Sequence, residues 1–152
     1  MSREPEGSGR GEALLDVNVL VALAWPSHVG HAAAHRWFRT NAAAGWATTP
    51  VTESGFVRVS SNRRAMPLTT TPAGAVEALR AMTRRPGHAF WADDIQLVAG
   101  EDLMGRLRGH SQVTDAHLLA LALARKGRLV TMDAGIRAVH DRDAVVVIEI
   151  ED

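Results

Sequence analysis

Short apolar runs separated by longer stretches with helix start and stop signals constrain this chain more than any other feature. Ala13-Leu14-Leu15, Trp46-Ala47-Thr48, His88 to Trp91, Arg128 to Thr131 and Ala144 to Ile150 are each of strand length. Between them lie segments bounded by residues that open and close helices. Val17 to Trp25 ends at Pro26, and Ser27 offers a cap for a helix from about His28 to Ala44, closed by Gly45. Thr49-Pro50 opens a helix with Glu53 in its first turn, ended at Asn62-Arg63-Arg64, and Thr71-Pro72 opens another to about Arg84. Thr114 is placed to cap the most apolar helix, Asp115 to Ala124, which Lys126-Gly127 closes. A short helix around Glu101 to Leu107 and another after Asp133 complete the reading. Strands alternating with helices predict an α/β fold with a central, mainly parallel sheet.

The chain has 152 residues, 46% of them apolar, which suits one domain with a sizeable core. Residues 1–11 read as a flexible leader and 12–152 as a single domain. With no cysteine, disulfides and thiolate zinc sites are excluded. No apolar run approaches the ~20 residues that span a bilayer. The expectation is a cytoplasmic protein with no membrane partner. Seventeen basic residues balance seventeen acidic ones, so a strongly basic nucleic-acid binder is not indicated, although opposed patches can hide in a neutral total.

In open parallel sheets, ligands bind beyond the carboxyl ends of the strands. Asp16 follows the first strand and Asp133 the Arg128–Thr131 strand, while Glu53 and Asp115 open helices that start at the same edge. Each acid also has a structural reading, as a helix-dipole partner or a turn residue. Asp16 resists it most, because a carboxylate between Leu15 and Val17 is costly to bury without a partner. Hard cations choose carboxylate and water ligands, so a cluster of acids at that rim suits Mg²⁺ or Mn²⁺ and phosphodiester hydrolysis.

The motifs around those acids resemble the PIN-domain family. Leu14-Leu15-Asp16-Val17-Asn18-Val19-Leu20 resembles its opening strand, and Thr52-Glu53-Ser54-Gly55-Phe56-Val57-Arg58-Val59 its second motif. Val113-Thr114-Asp115-Ala116-His117-Leu118-Leu119-Ala120-Leu121-Ala122 is similar to the third motif and Thr131-Met132-Asp133 to the fourth. Ala24-Trp25-Pro26 and His35-Arg36-Trp37-Phe38 add a likeness to the VapC-type toxins of bacterial toxin–antitoxin pairs. The resemblance implies a PIN-like fold with about five parallel strands and a metal-dependent endoribonuclease with Asp16, Glu53, Asp115 and Asp133 as catalytic acids. It further implies Mg²⁺ or Mn²⁺ held by Asp16, Asp115 and Asp133, with Glu53 orienting a water or holding a second ion. Asn18 and Thr114 would be supporting polar groups. RNA as substrate, a VapB-type antitoxin as partner and a homodimer follow from the same likeness.

Arg58, Arg63 and Arg64 form the densest basic stretch and are candidates for RNA phosphate contact, against an ordinary charged surface. His28, His31 and His35 lie at i, i+3 and i+7, on one face of the helix expected from about His28. With no carboxylate or cysteine at matching spacing, a solvated face or one lining an RNA path is preferred over zinc. His117 reads as structural, the four tryptophans as core or interface residues, and Asp93-Asp94 as a turn or helix start outside the site. Two other functions stay open: a non-catalytic nucleic-acid-binding or assembly module, and an aspartyl-nucleophile phosphatase. The second would want an acid where Asn18 stands and a lysine better placed than Lys126.

Overall fold

A computed structural model describes residues 12–66, 70–97, 105–136 and 143–150. Five parallel strands form one sheet: β1 (Ala13–Leu15), β2 (Trp46–Thr48), β3 (His88–Phe90), β4 (Arg128–Thr131) and β5 (Val145–Val147), in the order β3-β2-β1-β4-β5. β1 is central, with Leu14 beside Ala47 on one neighbour and beside Leu129 on the other. The helices are α1 (Val17–Ala24), α2 (His31–Asn41), α3 (Pro50–Ser60), α4 (Pro72–Thr83) and α5 (Val113–Ala124).

Successive strand residues point to opposite faces, and β1 shows the consequence. Ala13 and Leu15 join Trp46 and Val130 in a core completed by Leu20, Phe38, Phe56 and Leu79 from the first four helices. Leu14 faces the other way, with Ala47, Leu129 and Val145, against Leu118, Leu119 and Leu121 of α5. The central strands are therefore buried on both faces, which is why they read as continuous apolar runs. α3 packs closely on α1 because Gly55 has no side chain: a Cβ there would stand 2.6 Å from Val17 Cγ2.

Local signals explain most boundaries. Thr49 and Thr52 form a reciprocal cap at the start of α3, with Pro50 in its first turn. Thr71 Oγ1 accepts the Gly74 N–H at the start of α4. Four boundaries differ from the sequence reading. α2 starts at His31, not His28, and its cap is Gly30 rather than Ser27. Residues 26–30 form turns instead, as His28 N–H donates to Trp25 O and Gly30 N–H donates to His28 Nδ1. α5 starts at Val113, so Thr114 lies inside its first turn and is not the cap. The last strand is shorter than Ala144 to Ile150, and Trp91 lies just past β3. The leader at 1–11, the start of the helix expected at 101–107 and most of the one expected after Asp133 lie outside the described residues.

Candidate active site

Asp16 occupies the point where β1 becomes α1. Its backbone is extended, its Oδ1 accepts the Val17 N–H at 2.7 Å and caps α1, and its own N–H donates to Val130 O at 2.9 Å. Only 5% of the residue is exposed, so the bare carboxylate needs partners. Thr131, the last residue of β4, supplies one: its hydroxyl donates to Asp16 Oδ2 at 2.7 Å. The same Thr131 Oγ1 accepts from Asn18 Nδ2 at 3.3 Å and from Asp133 N–H at 3.1 Å. Asn18 Oδ1 in turn accepts the Met132 N–H at 3.1 Å. One buried hydroxyl thus ties the ends of β1 and β4 together and aims the Asp16 carboxyl. Sequence reasoning missed Thr131; its one signal was a hydroxyl residue closing an apolar strand just before Asp133.

Asp115, in the first turn of α5, meets Asp16 directly. Burial pushes its carboxyl up to about 7, and the negative charge of Asp16, the hydrogen bond to it and the charge of Asp133 all act in the same direction. Asp115 is therefore partly protonated near pH 7, where its proton bridges to Asp16. Burial also raises Asp16 above the ordinary carboxylate range. The bonds from Thr131, Val17 N–H and Asp115 pull it back, and Asp133 adds to the rise. Asp133 is exposed, and its Oδ1 accepts the Gly135 N–H at 2.8 Å.

These three acids line one cleft of about 340 Å³ together with Asn18 and His28. Val17, Val21, Val59 and Met66 give it apolar walls, and Ser111 also reaches it. Arg63 and Arg64 are exposed in the turn that carries Ala65 and Met66 to the cleft, while Arg58 is exposed on α3 beside Val59. Glu53 departs from the four-acid expectation. It does not line this cleft, and its Oε2 accepts the Thr48 hydroxyl at 2.7 Å, while His88 Nε2 lies 2.8 Å from Thr48 Oγ1. Thr114 also lies elsewhere: it is exposed and lines a separate apolar pocket with Val51, Leu97, Val113 and His117.

The histidine trio does not share a helix face. His31 Nδ1 and His35 Nε2 donate to Ala22 O at 2.7 Å and Leu23 O at 3.1 Å, satisfying carbonyls at the end of α1. His28 stands apart in the cleft. His117 Nε2 meets the Asp93 carboxylate, which accounts for both residues structurally.

Among the described residues, no three His, Asp or Glu side chains form a ready-made cation cluster. The Asp16–Asp115 pair nevertheless fits a hard divalent ion. Two adjacent carboxyls, one buried and one partly buried, share a partly retained proton near neutral pH, and a cation would replace that proton and offset both charges. Asp133, on the open side of the pair, fits an outer position reached directly or through water. Asn18 is committed to Thr131 and Met132, which leaves no acid where an aspartyl-nucleophile phosphatase would want one.

Residues 13–141 match the family model described as PIN domain. The chain is 56% identical to Ribonuclease VapC39 of Mycobacterium tuberculosis over 125 residues, covering 82% of this chain and 90% of that protein. It is 54% identical to Ribonuclease VapC38 of the same species over 124 residues, covering 82% and 86%. Ribonuclease VapC44 is 42% identical over 125 residues, covering 82% and 87%.

Proposed function

This chain belongs to the PIN-domain family of VapC-type ribonucleases, and we propose that it is an Mg²⁺- or Mn²⁺-dependent endoribonuclease restrained by a VapB-type antitoxin. The observation that carries the reading is the Asp16–Asp115 carboxyl pair, kept partly protonated at the floor of an open cleft. Asp16 and Asp115 would hold the ion, with Asp133 beside them. A bound divalent ion supplies an activated water and stabilises charge on the phosphate as it is attacked.

The chain's own residues do the rest. Thr131, itself held by Asn18, fixes the Asp16 carboxyl, so that its oxygens need not reorganise when the ion binds. The valine and methionine walls give riboses and bases an apolar surface and thin the water around the acids. Arg63 and Arg64, in the turn that forms one wall, are placed to contact flanking phosphates. Glu53 is assigned a supporting part, because it stands outside the cleft.

The acidic floor also suggests the mode of restraint. An arginine from the antitoxin would bridge Asp16, Asp115 and Asp133 and compete with the ion. A homodimer and a cytoplasmic location belong to the same reading. Among the described residues, no helix is long and apolar enough to cross a membrane.

The test is cleavage of bacterial total RNA in Mn²⁺ and in EDTA by wild type and Asp16→Asn, beside growth of bacteria expressing the chain alone or with its neighbouring gene. Cation-dependent cleavage lost in the variant, with growth arrest relieved by the neighbour, supports the proposal. Cleavage undiminished in EDTA would remove the metal. Normal growth at high expression of an active nuclease would remove the toxin role.

A further inference from the structure

His28 is the cleft residue whose role the acids do not explain. It sits in the turn between α1 and α2, and backbone bonds fix it on both sides. Its own N–H donates to Trp25 O at 3.0 Å, and its carbonyl accepts the His31 N–H at 3.0 Å. The imidazole is fixed as well. Nδ1 accepts the Gly30 N–H at 2.9 Å, so that nitrogen carries no proton and the ring proton resides on Nε2. Among the described residues, no hydrogen bond holds Nε2.

The turn is seated against the acid-bearing strand end. A Cβ at Gly30 would lie 2.8 Å from Met132 Cε and 2.9 Å from its Sδ, so the end of the Met132 side chain packs directly on this turn. Met132 immediately precedes Asp133, and its N–H is held by Asn18. The histidine is thus built into the same framework as the acids.

We propose that His28 is a further RNA-contacting residue, whose Nε2–H donates a hydrogen bond to a non-bridging phosphate oxygen of the strand held in the acidic cleft. The inference rests on the ribonuclease reading above. A neutral donor suits this position. A lysine or arginine here would pair with Asp133 or Asp16 and compete with the divalent ion, whereas a neutral imidazole binds phosphate and leaves the carboxylates free. Burial, and secondarily the neighbouring His31, hold the His28 ring below the ordinary histidine range, in keeping with a neutral ring at pH 7.

Two substitutions separate the donor from the turn. In His28→Asn, Oδ1 can accept the residue-30 N–H in an Asx turn, but nothing reaches the position of Nε2. In His28→Gln, the amide nitrogen can reach it. The probe is a fluorescein-labelled single-stranded RNA 20-mer of random sequence, bound in Ca²⁺ over a series of salt concentrations. A parallel arm follows cleavage of bacterial total RNA in Mn²⁺.

Loss of one hydrogen bond to a charged oxygen predicts about tenfold weaker binding for His28→Asn. His28→Gln should stay within about threefold of wild type. The dependence of log Kd on log salt should be the same in all three proteins, because no cation is removed and no extra counterion is released. Unchanged binding in His28→Asn overturns the proposal. So does a salt slope reduced by about one, which would mean a charged ring, or equal loss in His28→Gln. A wild type that neither binds nor cleaves RNA sinks the ribonuclease reading itself. A wild type that cleaves while His28→Asn binds and cleaves equally well sinks only this inference.

Discussion

Replacing Asp115 by asparagine should stabilise the cation-free protein, by an amount that grows with pH. The Asp115 carboxyl is pushed up to about 7 in the folded chain, from an ordinary value of 3.8. Between those values the folded state holds a proton that the unfolded state has released, so stability falls as pH rises through the window. The full shift of about three units corresponds to about 4 kcal/mol above pH 7. Asp115 is only partly buried, and water on its open side screens the repulsion, which lowers the expected figure to about 1–2 kcal/mol. For a chain of this size that is about 2–8 °C in Tm. His28, His35 and His88 act in the opposite sense, since burial lowers each and their neutral forms gain stability as pH rises through the histidine range. Their contribution cancels in the difference between wild type and Asp115→Asn. Thermal melts in EDTA from pH 3.5 to 8.5 should show that difference small at the acid end, growing as pH rises through the window and fully developed at pH 8. A variant less stable than wild type at pH 8, or a difference independent of pH, would contradict the assigned shift of Asp115.

Thr131→Val keeps the shape of the side chain but removes the hydroxyl shared by Asp16, Asn18 and Asp133. It should cost about 2–3 kcal/mol in denaturant unfolding and lower cleavage at least about tenfold at saturating Mn²⁺. Removing Arg63 and Arg64 together should weaken binding to random-sequence RNA and reduce the salt slope by up to about two, whereas neutral His28 should leave it unchanged. Glu53→Gln should retain more cleavage activity than Asp16→Asn, because Glu53 stands outside the cleft and an amide oxygen can still accept from Thr48; equal loss in both would return Glu53 to the catalytic set.

Much of the fold was legible because parallel strands buried on both faces leave uninterrupted apolar runs, and because Thr49-Pro50 and Thr71-Pro72 carry cap chemistry in plain order. Asp16 was legible for the same reason in reverse: a carboxylate inside an apolar run demands an account. Other features depend on contacts that spacing does not record. Thr131 lies 115 positions from Asp16 yet donates to it, and nothing local marks that meeting. Glu53 and Asp115 look alike in sequence, each in the first turn of a helix. Only the relative placement of α3 and α5 puts Asp115 against Asp16 and Glu53 against Thr48. The histidine trio misled through its own regularity. Spacing of i, i+3 and i+7 describes one helix face only if the helix includes all three, and the turn at 26–30 takes His28 out of it. Thr114 misled similarly, since a hydroxyl before an acid and an apolar helix reads as a cap, while α5 begins one residue earlier.

In the proposed cation site, a divalent ion held by Asp16 and Asp115 displaces the proton that the pair carries. Titration calorimetry with Mn²⁺ at pH 7, repeated in two buffers of different ionisation enthalpy, measures both the binding and that proton. Wild type should bind one or more ions and release about half a proton, the share that a carboxyl titrating near 7 still holds there. Asp16→Asn and Asp115→Asn should each bind at least about tenfold more weakly, and Asp115→Asn should release almost no proton. Mn²⁺ bound as tightly by both variants as by wild type, or bound by wild type with no proton released, would contradict the proposed site.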